Sequence, residues 1–134
     1  MNQILIPISP GELVDKITIL EIKLECIASP EKKTNVKNEL DMLNQVWNDS
    51  AFENSSSYPD IKDLRKELKA VNKELWEIEN DIRKEEHNKI FGERFIDLAR
   101  SVYFTNDKRA ALKKDINLHL NSEIVEEKSY QSYS

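Results

Sequence analysis

Glycine is nearly missing from this chain, with two in 134 residues, and proline contributes only four. So few turn-formers leave little material for the tight reversals of a sheet protein, which excludes an all-β fold and favours long helices. A single cysteine, Cys26, excludes an internal disulfide, and the only histidines, His87 and His119, form no set with zinc spacing. Neither a structural metal nor a cofactor is expected. No stretch approaches the ~20 apolar residues of a membrane span. The opening segment, Met1 to Ile8, has no basic region and is interrupted by Pro7. A soluble, cytoplasmic protein without a membrane partner follows as the expectation. Gly-rich phosphate loops, Ser/His/Asp sets and the aromatic ribbons of RNA-binding sheets are also missing.

What is present is charge and helical periodicity. Charged residues make up 34% of the chain and hydrophobic ones 39%, with a formal net charge of -5. That balance disfavours a phosphate-backbone binder, so no nucleic-acid partner is expected. The length suits one domain, residues 1–134.

Residues 3 to 8 read as a short extended segment, because Ile4, Leu5, Ile6 and Ile8 are β-formers and Pro7 forbids a central-strand position. Ser9-Pro10-Gly11-Glu12 is a capping box with proline at the first helical position, and predicts a helix over about 10 to 28. Leu13, Ile17, Leu20, Leu24 and Ile27 form one stripe of this helix. Ile19, Ile22 and Cys26 form a second patch on nearly the opposite side. Two readings stand: a central helix covered on both sides by its own chain, or a patch that meets another subunit in a homodimer. Ser29-Pro30 opens a second helix to about residue 48 through Val36, Leu40, Leu43 and Trp47. The run from Asn48 to Pro59 predicts a mobile surface loop. Asp60 is placed to cap a third helix, whose seam of Leu64, Leu68, Val71, Leu75, Ile78 and Ile82 runs to about residue 88. After Gly92 a fourth helix spans about 93 to 120 with Phe95, Leu98, Val102, Leu112, Ile116 and Leu120 on one stripe. The fold class is therefore mainly α: an antiparallel bundle of about four helices with a long hairpin of the third and fourth.

Polar residues inside an apolar stripe are informative, because burying them costs free energy unless each has a partner. Arg109 falls near the centre of the fourth helix's stripe, flanked by Asn106 and Lys113. On the third helix Asn72, Trp76, Glu79 and Arg83 form a ribbon at offsets 0, 4, 7 and 11. One reading is a buried network of Glu79 with Arg83 and Arg109 that fixes helix register. The other is a cleft in which Arg83, Arg109 and Lys113 hold a carboxylate or phosphate, Asn72 and Asn106 orient it, and Trp76 forms a wall. From 94 to 114 six basic residues face two acidic ones, a local balance of +4 inside an acidic protein. Glu12 with Asp15, and Glu74 with Glu77, have the one-turn spacing of cation-sharing carboxylates. Both pairs are read as lying outside the apolar seams, and no metal site is assigned. In the tail, Glu123 to Ser134, the pair Ile124 and Val125 followed by spaced tyrosines suggests docking across the bundle or a neighbouring subunit, with Tyr130 as the anchor. Disorder of the tail is the alternative.

With these blocks in hand, the chain resembles an uncharacterised family of short helical proteins of bacteria and bacteriophages, a domain of unknown function. The resemblance rests on Ile8-Ser9-Pro10-Gly11-Glu12-Leu13-Val14-Asp15-Lys16-Ile17-Thr18-Ile19-Leu20-Glu21-Ile22-Lys23, on Val71-Asn72 with Leu75-Trp76 and Glu79, on Leu98-Ala99-Arg100-Ser101-Val102-Tyr103 with Asn106-Asp107 and Arg109-Ala110, and on Glu126-Glu127-Lys128-Ser129-Tyr130. The family brings no activity to any residue. Leu75-Trp76 to Arg109 is also similar to a second helical family whose genes neighbour glycosyltransferases of surface-polysaccharide synthesis. That similarity implies a context and not a reaction. The expected function is an accessory or interaction module beside polysaccharide-synthesis or nucleotide-sugar enzymes. The alternative is a small all-α enzyme or binding domain for an anionic metabolite.

Overall fold

The computed structural model describes residues 2–133; Met1 and Ser134, which belong to the opening segment and tail discussed above, lie outside it. Four helices follow in order: α1 (Pro10–Cys26), α2 (Pro30–Asp49), α3 (Tyr58–His87) and α4 (Glu93–His119), with a short 3-10 turn, Phe52–Asn54, before α3. No strand occurs among the described residues, and no helix is long and apolar enough to cross a membrane. Residues 2–9 join no regular element, and Ile4, Leu5 and Ile6 stand exposed.

The local signals operate as their chemistry requires. Ser9, with extended backbone, accepts the amide of Glu12 at 3.1 Å, and Ser29 does the same for Lys32 at 3.4 Å, each beside a proline at the helix start. Past the ends of α3 and α4, Lys89 and Asn121 take left-handed backbone (φ 55 and 52). The next amides, of Ile90 and Ser122, return to the carbonyls of Glu85 and Asn117 in the manner of a Schellman cap. The third helix begins at Tyr58, two residues before the expected cap at Asp60. The connection before it is tied down: the Trp47 indole donates to Glu53 at 3.2 Å, and the Trp47 and Phe52 rings lie 5.5 Å apart.

Helix α1 is the centre of the molecule. It packs on α2, α3 and α4, and Leu13, Val14, Ile17 and Leu20 join Leu40, Trp47, Ile61, Leu68 and Ile116 in one core. Burial of each such aliphatic side chain contributes about 1.5–3 kcal/mol. The opposite face of α1, a row of Gly11, Asp15, Thr18 and Ile22, is also buried. Ile22 is only 1% exposed within the single chain, so the reading that places it at a subunit interface is corrected: its own helices cover it. Ile19 is half-buried and Cys26 is exposed.

The most extensive packing joins α3 and α4. Their hairpin reaches well past α1, and between Ile78 and Thr105 no residue is fully buried. The tip leaves Ile90, Phe91 and Ile96 exposed.

Candidate functional site

The site grows from the meeting of α1, α3 and α4. At its base the N-terminal end of α1 touches α4 so closely that a Cβ on Gly11 would collide with the backbone carbonyl of Lys113. The Gly11 amide, free because it lies in the first turn, donates to the buried Asn117 side chain at 2.7 Å. One turn further along α1, Asp15 is 1% exposed and fully engaged. Arg109 grips it with two parallel bonds, Nε to Oδ1 at 2.9 Å and Nη2 to Oδ2 at 2.5 Å. Asn72 Nδ2 donates to the same Oδ1 at 2.9 Å and to Thr18 Oγ1 at 3.0 Å, and the Thr18 hydroxyl donates to the Asp15 carbonyl at 2.8 Å. Among the described residues, every side-chain nitrogen or oxygen wholly enclosed by protein has a partner.

Lys113 closes the other side of this network. Its ammonium lies 2.7 Å from Glu12, 3.1 Å from Glu126 and 3.9 Å from Asp15. Burial alone would depress its pKa, but hydrogen bonds to Glu12 and Glu126 outweigh that and hold it above the ordinary lysine value. The Arg109 guanidinium is likewise held above its usual value, chiefly by its hydrogen bonds to Asp15.

Above this clamp lies a groove of about 280 Å³ lined by Ile19, Asn72, Leu75, Trp76, Glu79, Val102, Asn106 and Arg109. Five of the seven ligand candidates, Asn72, Trp76, Glu79, Asn106 and Arg109, therefore share one wall-to-wall space. The other two do not. Arg83 is exposed and closes on Glu79, one turn away on α3, at 2.7 Å. Lys113 is turned toward Glu12 and the tail. The expected network of Glu79 with both arginines is thus split: Glu79 keeps Arg83, and the partner of Arg109 is Asp15. Asp15 does not lie outside the apolar seams, contrary to expectation, because it sits in the row that turns the second face of α1 toward α3 and α4. Among the described residues no three His, Cys, Asp or Glu side chains come together as a metal-holding group.

The groove's remaining polar atoms are largely uncommitted. Among the described residues Asn106 makes no side-chain hydrogen bond, the Trp76 indole N–H meets no acceptor, and Asn72 Oδ1 meets no donor, its amide nitrogen being used on Asp15 and Thr18. The groove therefore offers a flat aromatic ring with its indole N–H, the amide of Asn106 and the acceptor of Asn72, beside a guanidinium whose charge is matched by Asp15 while part of its N–H set stays open.

The C-terminal tail does lie on its own chain, but not through Tyr130, which is 84% exposed. The anchor is Tyr133. Its hydroxyl donates to Asp107 at 2.6 Å and its ring sits 4.7 Å from Phe104 and 5.5 Å from Tyr103, while Glu126 and Glu127 reach Lys113 and Lys114. Tyr130 makes no ring contact with the α4 aromatics among the described residues and carries the Lys128 ammonium over its ring. A hollow of about 500 Å³ between tail and α4 is larger than the groove, but exposed tail residues such as Tyr130 and Gln131 form its walls, whereas helices wall the groove.

Residues 4–133 match the model of a family of unknown function, DUF6165, and the chain belongs to that family. No curated protein and no solved structure matches it.

Proposed function

We propose that this protein is a non-catalytic accessory module whose groove between α3 and α4 takes one ring of a neutral, hydroxyl-rich ligand, in keeping with a setting beside polysaccharide-synthesis enzymes in a bacterial or phage-infected cytoplasm. The observation that carries the reading is the bidentate bond from Arg109 to buried Asp15. An anionic ligand would compete for a cation that cannot leave Asp15 without stranding a buried carboxylate, at a cost of several kcal/mol. The two other cations of an anion cleft are directed elsewhere, Arg83 to Glu79 and Lys113 to Glu12. What the groove keeps free is an indole face, the amide of Asn106 and the acceptor of Asn72, a set that suits ring C–H groups on one side and hydroxyls on the other.

The test is a fluorescence titration read at Trp76. The second tryptophan, Trp47, is buried and bonded to Glu53, so it serves as the fixed background. Neutral mono- and oligosaccharides are expected to shift the emission and to lose their effect in Trp76→Ala. Saturable binding of inorganic phosphate or dicarboxylates instead, abolished by Arg109→Met, would favour the anionic-metabolite reading over this one.

A homodimer is part of the same proposal, with its contact moved from α1 to the exposed Ile4, Leu5 and Ile6 beside Met42 and Val46 of α2. Gln3 holds this segment against α2 through the Met42 sulfur at 2.9 Å.

A further inference from the structure

On the side of the hairpin turned away from α1 lies a second groove, about 470 Å³, lined by Glu67, Ala70 and Val71 of α3 and Lys108, Ala111 and Leu112 of α4. Its floor is almost wholly apolar. Ala70 and Ala111, facing each other across it and exposed, leave room for another helix to approach closely. At ~100° per residue this face is opposite Asn72, so it is independent of the ligand groove.

One rim of the groove is acidic. Asp63, Glu67, Glu74 and Glu77 fall on the same line of α3 as Ala70, at offsets 0, 4, 11 and 14, and all four are exposed. Asp63, Glu67, Glu74 and Glu77 form no ion pair among the described residues, and Glu77 lies near enough to Lys73 to act on its charge. Lys108 is the one cation on the groove's wall. We propose that this face docks a basic amphipathic helix of a partner protein, its apolar stripe filling the groove between Ala70 and Ala111 and its Lys or Arg row lying along the acidic line of α3. Charge selects this occupant over a second copy, which would bring an identical acidic face and a net charge of -5. The partner helix would convert the hairpin into a three-helix bundle.

The experiment uses the full chain and a labelled synthetic helical peptide with leucines at i, i+3, i+4 and i+7 and lysines along one flank. Its controls are a scrambled peptide of the same composition and a version with glutamates in place of the lysines. Fluorescence anisotropy is expected to show saturable binding of the first peptide only. Binding should weaken about tenfold or more both in the charge-reversed pair Glu67→Lys with Glu74→Lys and in the neutral, groove-filling Ala70→Gln. The pair Glu31→Lys with Glu39→Lys, on exposed positions of α2, should leave it unchanged. Circular dichroism verifies that each variant keeps its helices, and these exposed positions carry no core contact. Equal binding of the scrambled peptide, equal loss from the α2 reversals, or no binding at all would overturn the proposal. So would a self-association of the chain that Ala70→Gln abolishes, which would assign the face to a second copy.

Discussion

At the scale of single residues, the molecule turns on one buried carboxylate, that of Asp15. Asp15 sits between Gly11, Thr18 and Ile22 at the spacing of one helical face, and that face looks polar and interrupted until α3 and α4 are laid against it. Gly11 marks the contact: with a Cβ aimed at the Lys113 carbonyl, Gly11→Ala should destabilise the fold by about 1–3 kcal/mol, measured by denaturant unfolding, although alanine favours a helix. Lys113 adds a dependence on pH. Its folded pKa lies above the ordinary lysine value, so the folded state holds that proton more tightly than the unfolded one. Its contribution to stability is complete below about pH 10.4 and is lost as pH rises through the folded value. Melting temperature should fall above pH 10, and the fall should be shallower in Lys113→Met. Tyr133, raised by its bond to Asp107, adds to the same trend and remains in the variant.

At the scale of elements, the helices were legible because their caps and periodicities are local. Ser9-Pro10 and Ser29-Pro30 start α1 and α2 where the side-chain chemistry requires, and the seam of α3 predicts its hairpin with α4. The partner of Arg109 was not legible, because it lies 94 residues away along the chain. The pattern break on α4 showed that Arg109 needs a carboxylate, and Glu79 was the acid in view on the neighbouring helix. The same test applied to α1 would have singled out Asp15, which lies within the second apolar patch next to Ile19 and Ile22. The tail was half legible: spaced tyrosines announced an anchor, but which ring reaches α4 depends on the path of the chain from Asn121. Removing residues 123–134 should lower the melting temperature by a few degrees, about 1 kcal/mol, since the tail's carboxylates are exposed and a single aromatic residue, Tyr133, carries the docking. Tyr133→Ala should reproduce most of that loss in a thermal melt, and Tyr130→Ala almost none.

At the scale of the whole molecule, one end is a three-sided core around α1 and the other a bare two-helix arm. The buried clamp holds the arm to the core through Arg109, and the groove with Trp76 opens where the arm leaves it. This arrangement gives a packed base and an arm with two long exposed faces. If the homodimer forms through the N-terminal segment, Leu5→Asp should yield a monomer by sedimentation at micromolar concentration while leaving the melting temperature within a degree or two of the monomeric form. The central claim is narrower: the charge of Arg109 belongs to Asp15 and is not available to a ligand. A double-mutant cycle of Asp15→Asn and Arg109→Met, read by chemical unfolding, tests it most directly. The account predicts single losses of about 2–4 kcal/mol and a double mutant less damaged than their sum by about 2 kcal/mol; losses that simply add, or an Arg109→Met variant as stable as the parent, would contradict it.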